Sequence, residues 1–175
     1  MKRHGVLAYF AMTVLGFALL PGSAGGQSIG QPQVITQSNS LKRLLVGTWT
    51  LVSCDEILGN AKPRYCINPS GILMFDANGR YAMVIAARGR TGGIRSSSAV
   101  QAPADTVKAV VQGVLANFGT WSVNEAGETP TITRHVESAL FPGIEGFDLE
   151  ASVSLNGDEV KFVGQEGTRV FRRAK

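Results

Sequence analysis

The sequence predicts an all-β protein, folded as an antiparallel barrel of about eight strands with one inserted α-helix. Gly-Thr-Trp occurs twice, at residues 47–49 and 119–121, and each copy opens a strand-like run. Glycine permits a tight bend or the close approach of another backbone, and tryptophan fills the space inside a curved sheet. Short strand-like segments also recur between turn-forming residues. Because closure of such a sheet removes its exposed edges, this pattern favours a barrel.

Eight segments have the composition of strands, and turn-forming residues separate them. Asn78-Gly79 and Asn156-Gly157 are typical of hairpin turns, and residues 125–128 form a third short connection. The predicted strands are 47–53, 71–76, 80–87, 118–124, 129–138, 148–155, 159–164 and 168–173.

One amphipathic helix is predicted between the third and fourth strands, after a Gly-, Arg- and Ser-rich loop at 88–102. Asp105 is expected to cap this helix. Both faces of strands 71–76 and 80–87 are apolar, so the helix or another chain is expected to cover the outer surface there. A short helical turn at 41–45 is expected to close one end of the barrel. The apolar stripe of the predicted helix comprises Val107, Val110, Val111, Val114, Leu115 and Phe118.

The N-terminal segment has the composition of an export signal. Lys2 and Arg3 precede an uncharged apolar stretch, and small residues follow it. We therefore predict a signal peptide at 1–26, a flexible linker at 27–40 and the barrel domain at 41–175. The apolar stretch is shorter than the roughly 20 residues of a transmembrane helix, and an uncleaved anchor is the alternative. The mature protein is expected to be periplasmic or secreted, with no stable membrane insertion.

The charge distribution argues against a nucleic-acid partner. The formal net charge is +4, and loss of the two basic residues at positions 2 and 3 lowers it to about +2. Nucleic-acid-binding domains cluster Lys and Arg with exposed aromatic residues, whereas the basic residues here are largely scattered. We predict no nucleic-acid partner and no cofactor, and composition leaves the oligomeric state open.

Cys54 and Cys66 are the only cysteines, and they are predicted to form a disulfide. Closing a loop of this size stabilises a fold by roughly 3 kcal/mol in the chain-entropy description. A metal site and two free thiols are the alternatives. A metal site needs further soft ligands nearby, and the only histidine of the mature chain, His135, lies far along the sequence. The disulfide is favoured, and no metal site is predicted.

Apolar residues of the predicted strands are the candidate ligand-binding residues. They are expected to form either the wall of a cavity or a packed core, and the sequence does not decide between the two. The set comprises Trp49, Leu51, Phe75, Met83, Ile85, Trp121 and Phe162.

His135 is the one candidate general base, and Glu137 lies on the same side of the same strand. A carboxylate beside a histidine can hold its tautomer and raise its basicity. Ile132 and Val136 occupy the opposite parity, however, which places His135 and Glu137 on the outer face. Ion pairing across strands is therefore their expected role, and His135 and Glu137 remain the outside candidates for catalysis.

Four segments in order resemble the lipocalin-like domain family of bacteria and fungi, whose fold is a calycin-type barrel. They are residues 45–53, 71–81, 117–123 and 133–142. The resemblance implies a lipocalin-like barrel over nearly all of residues 41–171. This chain departs from the family where members tend to carry a second histidine, which is replaced by Arg134, and an arginine, which is replaced within residues 150–152. If that histidine and arginine serve a polar ligand elsewhere in the family, the departure implies that this chain does not bind the same group.

Together these features predict an exported lipocalin-like protein that binds a small apolar or amphipathic molecule in the barrel interior. An enzyme of the lyase, isomerase or cyclase kind is one alternative, since a shaped apolar barrel can guide a reactive substrate with few polar groups. A structural or assembly protein without a ligand is the other.

Overall fold

The structure, a computed structural model, describes residues 40–90, 102–165 and 167–175. The predicted signal peptide at 1–26 and nearly all of the predicted linker at 27–40 lie outside the described residues. So does most of the loop predicted at 88–102. No helix within the described ranges has the length and apolar character needed to cross a membrane.

Eight antiparallel strands pair in chain order, and pairing of the last with the first closes the barrel. The predicted fold class is therefore confirmed. Two α-helices accompany the strands in the described part of the chain, α1 at Leu41–Leu45 and α2 at Ala104–Gln112, with 3-10 turns at Arg64–Cys66 and Pro142–Ile144. The strands are β1 Gly47–Glu56, β2 Pro69–Phe75, β3 Arg80–Ala87, β4 Val114–Asn124, β5 Thr131–Ala139, β6 Asp148–Asn156, β7 Glu159–Gly164 and β8 Gly167–Arg173.

Helix α2 is shorter than its apolar stripe predicts. Pro103 occupies the N-cap position, so the predicted cap by Asp105 is wrong, and Asp105 lies in the first turn. The helix ends before Gly113, and the remaining apolar residues of the stripe belong to β4. Val114 pairs with Ala86 at the start of a continuous ladder between β3 and β4. These tertiary hydrogen bonds override the local helical spacing.

The outer face of β2, β3 and β4 stays open, so the predicted cover by the helix is wrong. Ile72, Met74, Val84 and Phe118 are between 39% and 47% exposed. The cause is the length of α2, which ends after nine residues and buries none of them fully. An apolar outer surface is therefore a feature of this side of the barrel.

One end of the barrel is closed by α1, as the sequence predicts. Leu45 and Trp49 are completely buried, and the Trp49 indole Nε1 donates a hydrogen bond to the Leu45 carbonyl at 2.8 Å. The Arg173 guanidinium lies 4.2 Å from the centroid of the Trp49 ring and donates to the carbonyls of Val46 and Leu44. A cation over an indole face is a favourable pairing. The last strand thus binds both the first strand and the helix that precedes it.

The second Gly-Thr-Trp segment packs at the same end. The Trp121 indole donates to the Asp76 carbonyl at 3.2 Å, and its ring centroid lies 4.5 Å from that of Phe75. Further ring contacts join Phe75 to Phe162 and Phe162 to Phe171, at 6.3 Å and 5.9 Å. Aromatic side chains therefore fill this half of the interior.

Steric constraints explain why both copies of the repeated segment begin with glycine. Gly47 adopts a φ of +134°, a conformation that other residues rarely adopt. Gly119 faces the backbone of β5 so closely that a β-carbon would lie 1.9 Å from the His135 carbonyl oxygen. The repeated segment thus marks two places where a side chain larger than hydrogen is excluded.

A bulge in β1 reverses which residues face the interior. Trp49 and Leu51 point inward, and the register with β8 shifts between Leu51 and Ser53. Beyond the shift, Cys54 and Glu56 are the buried residues. A bulge inserts one extra residue and so re-aims the side chains that follow it. Glu56 is thereby turned into the barrel.

We predict that Trp49→Ala lowers the free energy of unfolding by roughly 3–5 kcal/mol, the range for deletion of a large buried aromatic side chain. Val52→Ala is the matched control, because Val52 lies on the outer face of the same strand and is 48% exposed. The control is expected to change stability by no more than about 0.5 kcal/mol. Chemical denaturation measures both variants, and equal midpoints for Trp49→Ala and wild type would contradict the packing of the closed end.

Candidate functional site

Polar side chains line the interior near the end of the barrel opposite α1. The longer connections β1–β2, β3–β4 and β5–β6 meet at this end, because the strands alternate in direction. Six polar residues from five strands and a 3-10 turn project into the interior between this end and the aromatic side chains of the closed half. They are Glu56, Tyr65, Tyr81, Asn117, Arg134 and Arg169.

Glu56 and Arg169 form a buried ion pair. Arg169 Nε lies 2.5 Å from Glu56 Oε1, a close charge contact that lacks the geometry of a directed hydrogen bond. The Tyr65 hydroxyl donates to Glu56 Oε2 at 3.2 Å. The predicted disulfide is present, and it joins Cys54 of β1 to Cys66 of the 3-10 turn. Because Tyr65 precedes Cys66 directly, the disulfide holds its hydroxyl beside Glu56.

Arg134 is a buried cation without a carboxylate partner among the described residues. It is 8% exposed and faces inward between Ile132 and Val136. Its guanidinium contacts the Met83 sulfur at 3.6 Å, a weak acceptor, and lies 5.7 Å from the centroid of the Tyr81 ring. Burial, followed by repulsion from Arg169, lowers the pKa of Arg134 to about 10, which leaves it charged at neutral pH.

Two neutral polar groups nearby are also unpaired within the described part of the chain. They are the Tyr81 hydroxyl and the Asn117 side-chain oxygen, and both are buried. Burial raises the pKa of Tyr81 above its ordinary value, so its hydroxyl is protonated at neutral pH. A buried polar group without a hydrogen bond costs roughly 1–3 kcal/mol. Such groups are typical of sites that complete their hydrogen bonds with a bound molecule.

Two adjoining cavities of different character lie at this end. The smaller, of about 270 Å³, is bordered by Glu56, Arg134 and Arg169. The larger, of about 450 Å³, has a mainly apolar wall that includes Leu115 and Ile144. Arg169 and Leu149 border both cavities. The volumes are within the usual range of small-molecule sites when the two spaces are taken together.

The seven apolar residues predicted to bind a ligand are all buried. Phe162 borders the smaller cavity, whereas Phe75 and Met83 border only a void of about 10 Å³. The other four, which border none of these three spaces, are Trp49, Leu51, Ile85 and Trp121. Sequence reasoning missed Arg134 and Arg169 as interior residues, although the alternation with Ile132 and Val136 already indicated that Arg134 points inward.

His135 and Glu137 lie on the outer face of β5 and pair with different partners. His135 Nδ1 is 2.8 Å from a carboxylate oxygen of Asp148 on β6. Glu137 accepts a hydrogen bond from Arg80 Nη2 of β3 at 2.7 Å, and this bond lowers the pKa of Glu137. His135 and Glu137 therefore form separate pairs across strands, and neither residue borders the two cavities.

Comparison with protein families matches a lipocalin-like domain to residues 46–170. The match starts one residue before β1 and ends within β8, so it includes all of the first seven strands and the first half of the last. The chain belongs to the lipocalin-like domain family. Comparison with curated proteins gives no match.

The disulfide is expected to support the polar half of this lipocalin-like barrel. The intact protein should weigh two hydrogen atoms less before reduction than after it. Reduction should lower the free energy of unfolding by roughly 3 kcal/mol, because the bond closes a short loop. Mass spectrometry and denaturation with and without reductant measure the two effects. Two alkylatable thiols in the protein isolated from an oxidising compartment would contradict the pairing.

His135→Ala is expected to change the free energy of unfolding by no more than about 0.5 kcal/mol, as is usual for an exposed site. The control is Ile132→Ala, an inward residue of the same strand, which is expected to cost about 2–5 kcal/mol. Both are measured by chemical denaturation. A large loss of stability with His135→Ala would show that the ion pair with Asp148 contributes more than surface pairs usually do.

Proposed function

We propose that this lipocalin-like protein binds a small amphipathic molecule at the open end of its barrel. The apolar body of the molecule occupies the larger cavity, and its polar group enters the smaller one. The observation that carries the proposal is the junction of the two spaces at Arg169 and Leu149. An apolar pocket with a few convergent polar groups is the usual design of a small-molecule site.

Packing of the closed half supports the same assignment. The void where Leu73, Phe75 and Phe171 approach Arg134 and Arg169 is only about 10 Å³, which is too small for any organic ligand. A ligand is therefore proposed nearer the mouth than the apolar residues of the sequence pattern suggest. Arg134 and Arg169, rather than Trp49 or Trp121, are the proposed contact residues.

Export is part of the proposal. The predicted signal peptide at 1–26 supports it, and so does the disulfide, because disulfides persist mainly in oxidising compartments. In the periplasm or outside the cell, the proposed activity is capture or carriage of an amphipathic molecule. We propose binding rather than turnover, since the one candidate base, His135, lies on the outer face.

The test is titration with N-phenylnaphthylamine, a neutral apolar dye whose fluorescence rises in apolar surroundings. Wild type is expected to bind the dye saturably. Ile144→Trp, which fills part of the larger cavity, should weaken binding at least about tenfold, equivalent to about 1.4 kcal/mol. Phe147→Trp is the matched control, because Phe147 lies in the same connection but is 62% exposed.

Two results would contradict the proposal. One is dye binding that does not saturate or that Ile144→Trp leaves unchanged. The other is loss of binding with Phe118→Ser, since Phe118 lies on the exposed outer face of β4. That result would place the dye on the outside of the barrel.

A further inference from the structure

Arg134 is the residue whose charge the described part of the barrel does not satisfy. It is 8% exposed, and its side chain borders the smaller cavity. Within the described residues no carboxylate lies at ion-pair distance from it, and its polar contact is with the Met83 sulfur. An ionised group buried in this way is strongly unfavourable unless it is paired.

The net charge of the buried side chains in the described part of the chain indicates the charge that a bound partner should carry. Glu56 neutralises Arg169, so Arg134 leaves the interior with one excess positive charge. Among the described residues, the other acids that border the smaller cavity are Asp148 and Glu150. Both are exposed, and Asp148 is paired with His135. One negative charge inside the cavity would balance the cluster.

The surroundings of Arg134 suit a flat anionic group. The Tyr81 ring lies beside the guanidinium and limits its orientation. A guanidinium binds carboxylates with two parallel hydrogen bonds, which combine charge with defined geometry. The Tyr81 hydroxyl has no hydrogen-bond partner among the described residues, and it is a further donor on the side chain next to the guanidinium.

We propose that the ligand of this protein carries a singly charged anionic head group, of the carboxylate class, which binds to Arg134 inside the barrel. This assignment rests on the proposed function, because the apolar body of the same molecule lies in the larger cavity. A free inorganic anion offers similar chemistry to Arg134 without an apolar body. The experiment therefore separates the two sources of negative charge.

The first arm compares three molecules with the same alkyl chain as competitors of N-phenylnaphthylamine on wild type. They are decanoate, decanol and decyltrimethylammonium. Decanoate is expected to bind at least about tenfold more tightly than decanol, since a hydrogen bond to a charged group contributes more than a neutral one. The cationic molecule is expected to bind most weakly, because it meets Arg134 with like charge.

The second arm changes the arginine. Arg134→Met keeps much of the volume and removes the charge, and it should reduce decanoate affinity to that of decanol while decanol affinity stays within about twofold. Arg134→Lys should restore part of the difference. Arg172→Met is the control for net charge, because Arg172 is on the outer face of β8 with its side chain 61% exposed. It should leave the affinities for all three molecules unchanged.

Stability of the free protein separates a ligand-binding arginine from a structural one. Arg134→Met is expected to unfold at the same temperature as wild type or higher, since it removes a buried charge that has no ion-pair partner among the described residues. A clearly lower midpoint would show that the chain itself supplies a partner for Arg134, and this would overturn the inference.

The remaining outcomes distinguish the inference from the proposed function. If the dye binds saturably but decanoate and decanol compete equally, the amphipathic site stands and the anionic head group is wrong. If neither the dye nor decanoate binds, the proposed function itself fails. If acetate or sulfate binds as tightly as decanoate in calorimetry, the site holds a free anion, and the head-group assignment is overturned.

Discussion

Pairing of β1 with β8 is the interaction on which both ends of the barrel depend. It closes the sheet, so that neither strand is left as an exposed edge. The same register places Arg173 beside Trp49 at one end and brings Arg169 next to Cys54, two residues from Glu56, at the other. This strand pairing thus positions Arg173 against Trp49 at the closed end and Arg169 in the buried ion pair at the open end.

The two halves of the interior contain different kinds of side chain. The closed half is packed with aromatic side chains, whose burial is the main favourable contribution to folding. The open half holds an ion pair. It also holds an arginine and two neutral groups that have no partner among the described residues, and such groups are costly to bury. A fold tolerates such costs where the rest of the structure compensates, and such places are commonly functional sites. The contrast between the halves supports assigning function to the mouth rather than to the apolar layer.

The polar cluster is held by elements with little freedom to move. Arg134, Tyr81 and Asn117 project from strands that are paired on both sides, while the disulfide holds Tyr65 against Glu56. Sites built on strands keep their side chains in more exact positions than sites built on loops. A preorganised guanidinium loses little freedom when it binds an anion, which favours affinity and selectivity for head-group geometry.

The sequence by itself determined the all-β class, the hairpins, the disulfide and the closed end, because alternation, Asn-Gly turns and a lone cysteine pair act over short distances along the chain. It also contained the inward parity of Arg134. Only the tertiary structure decided that α2 stops at Gln112, since the ladder between β3 and β4 outweighs local helical spacing. Only the structure turned Glu56 inward, because the bulge that reverses the parity of β1 arises from its register with β8. The position of the cavities could likewise not be predicted from the sequence, since it depends on how residues from six strands fill one shared interior.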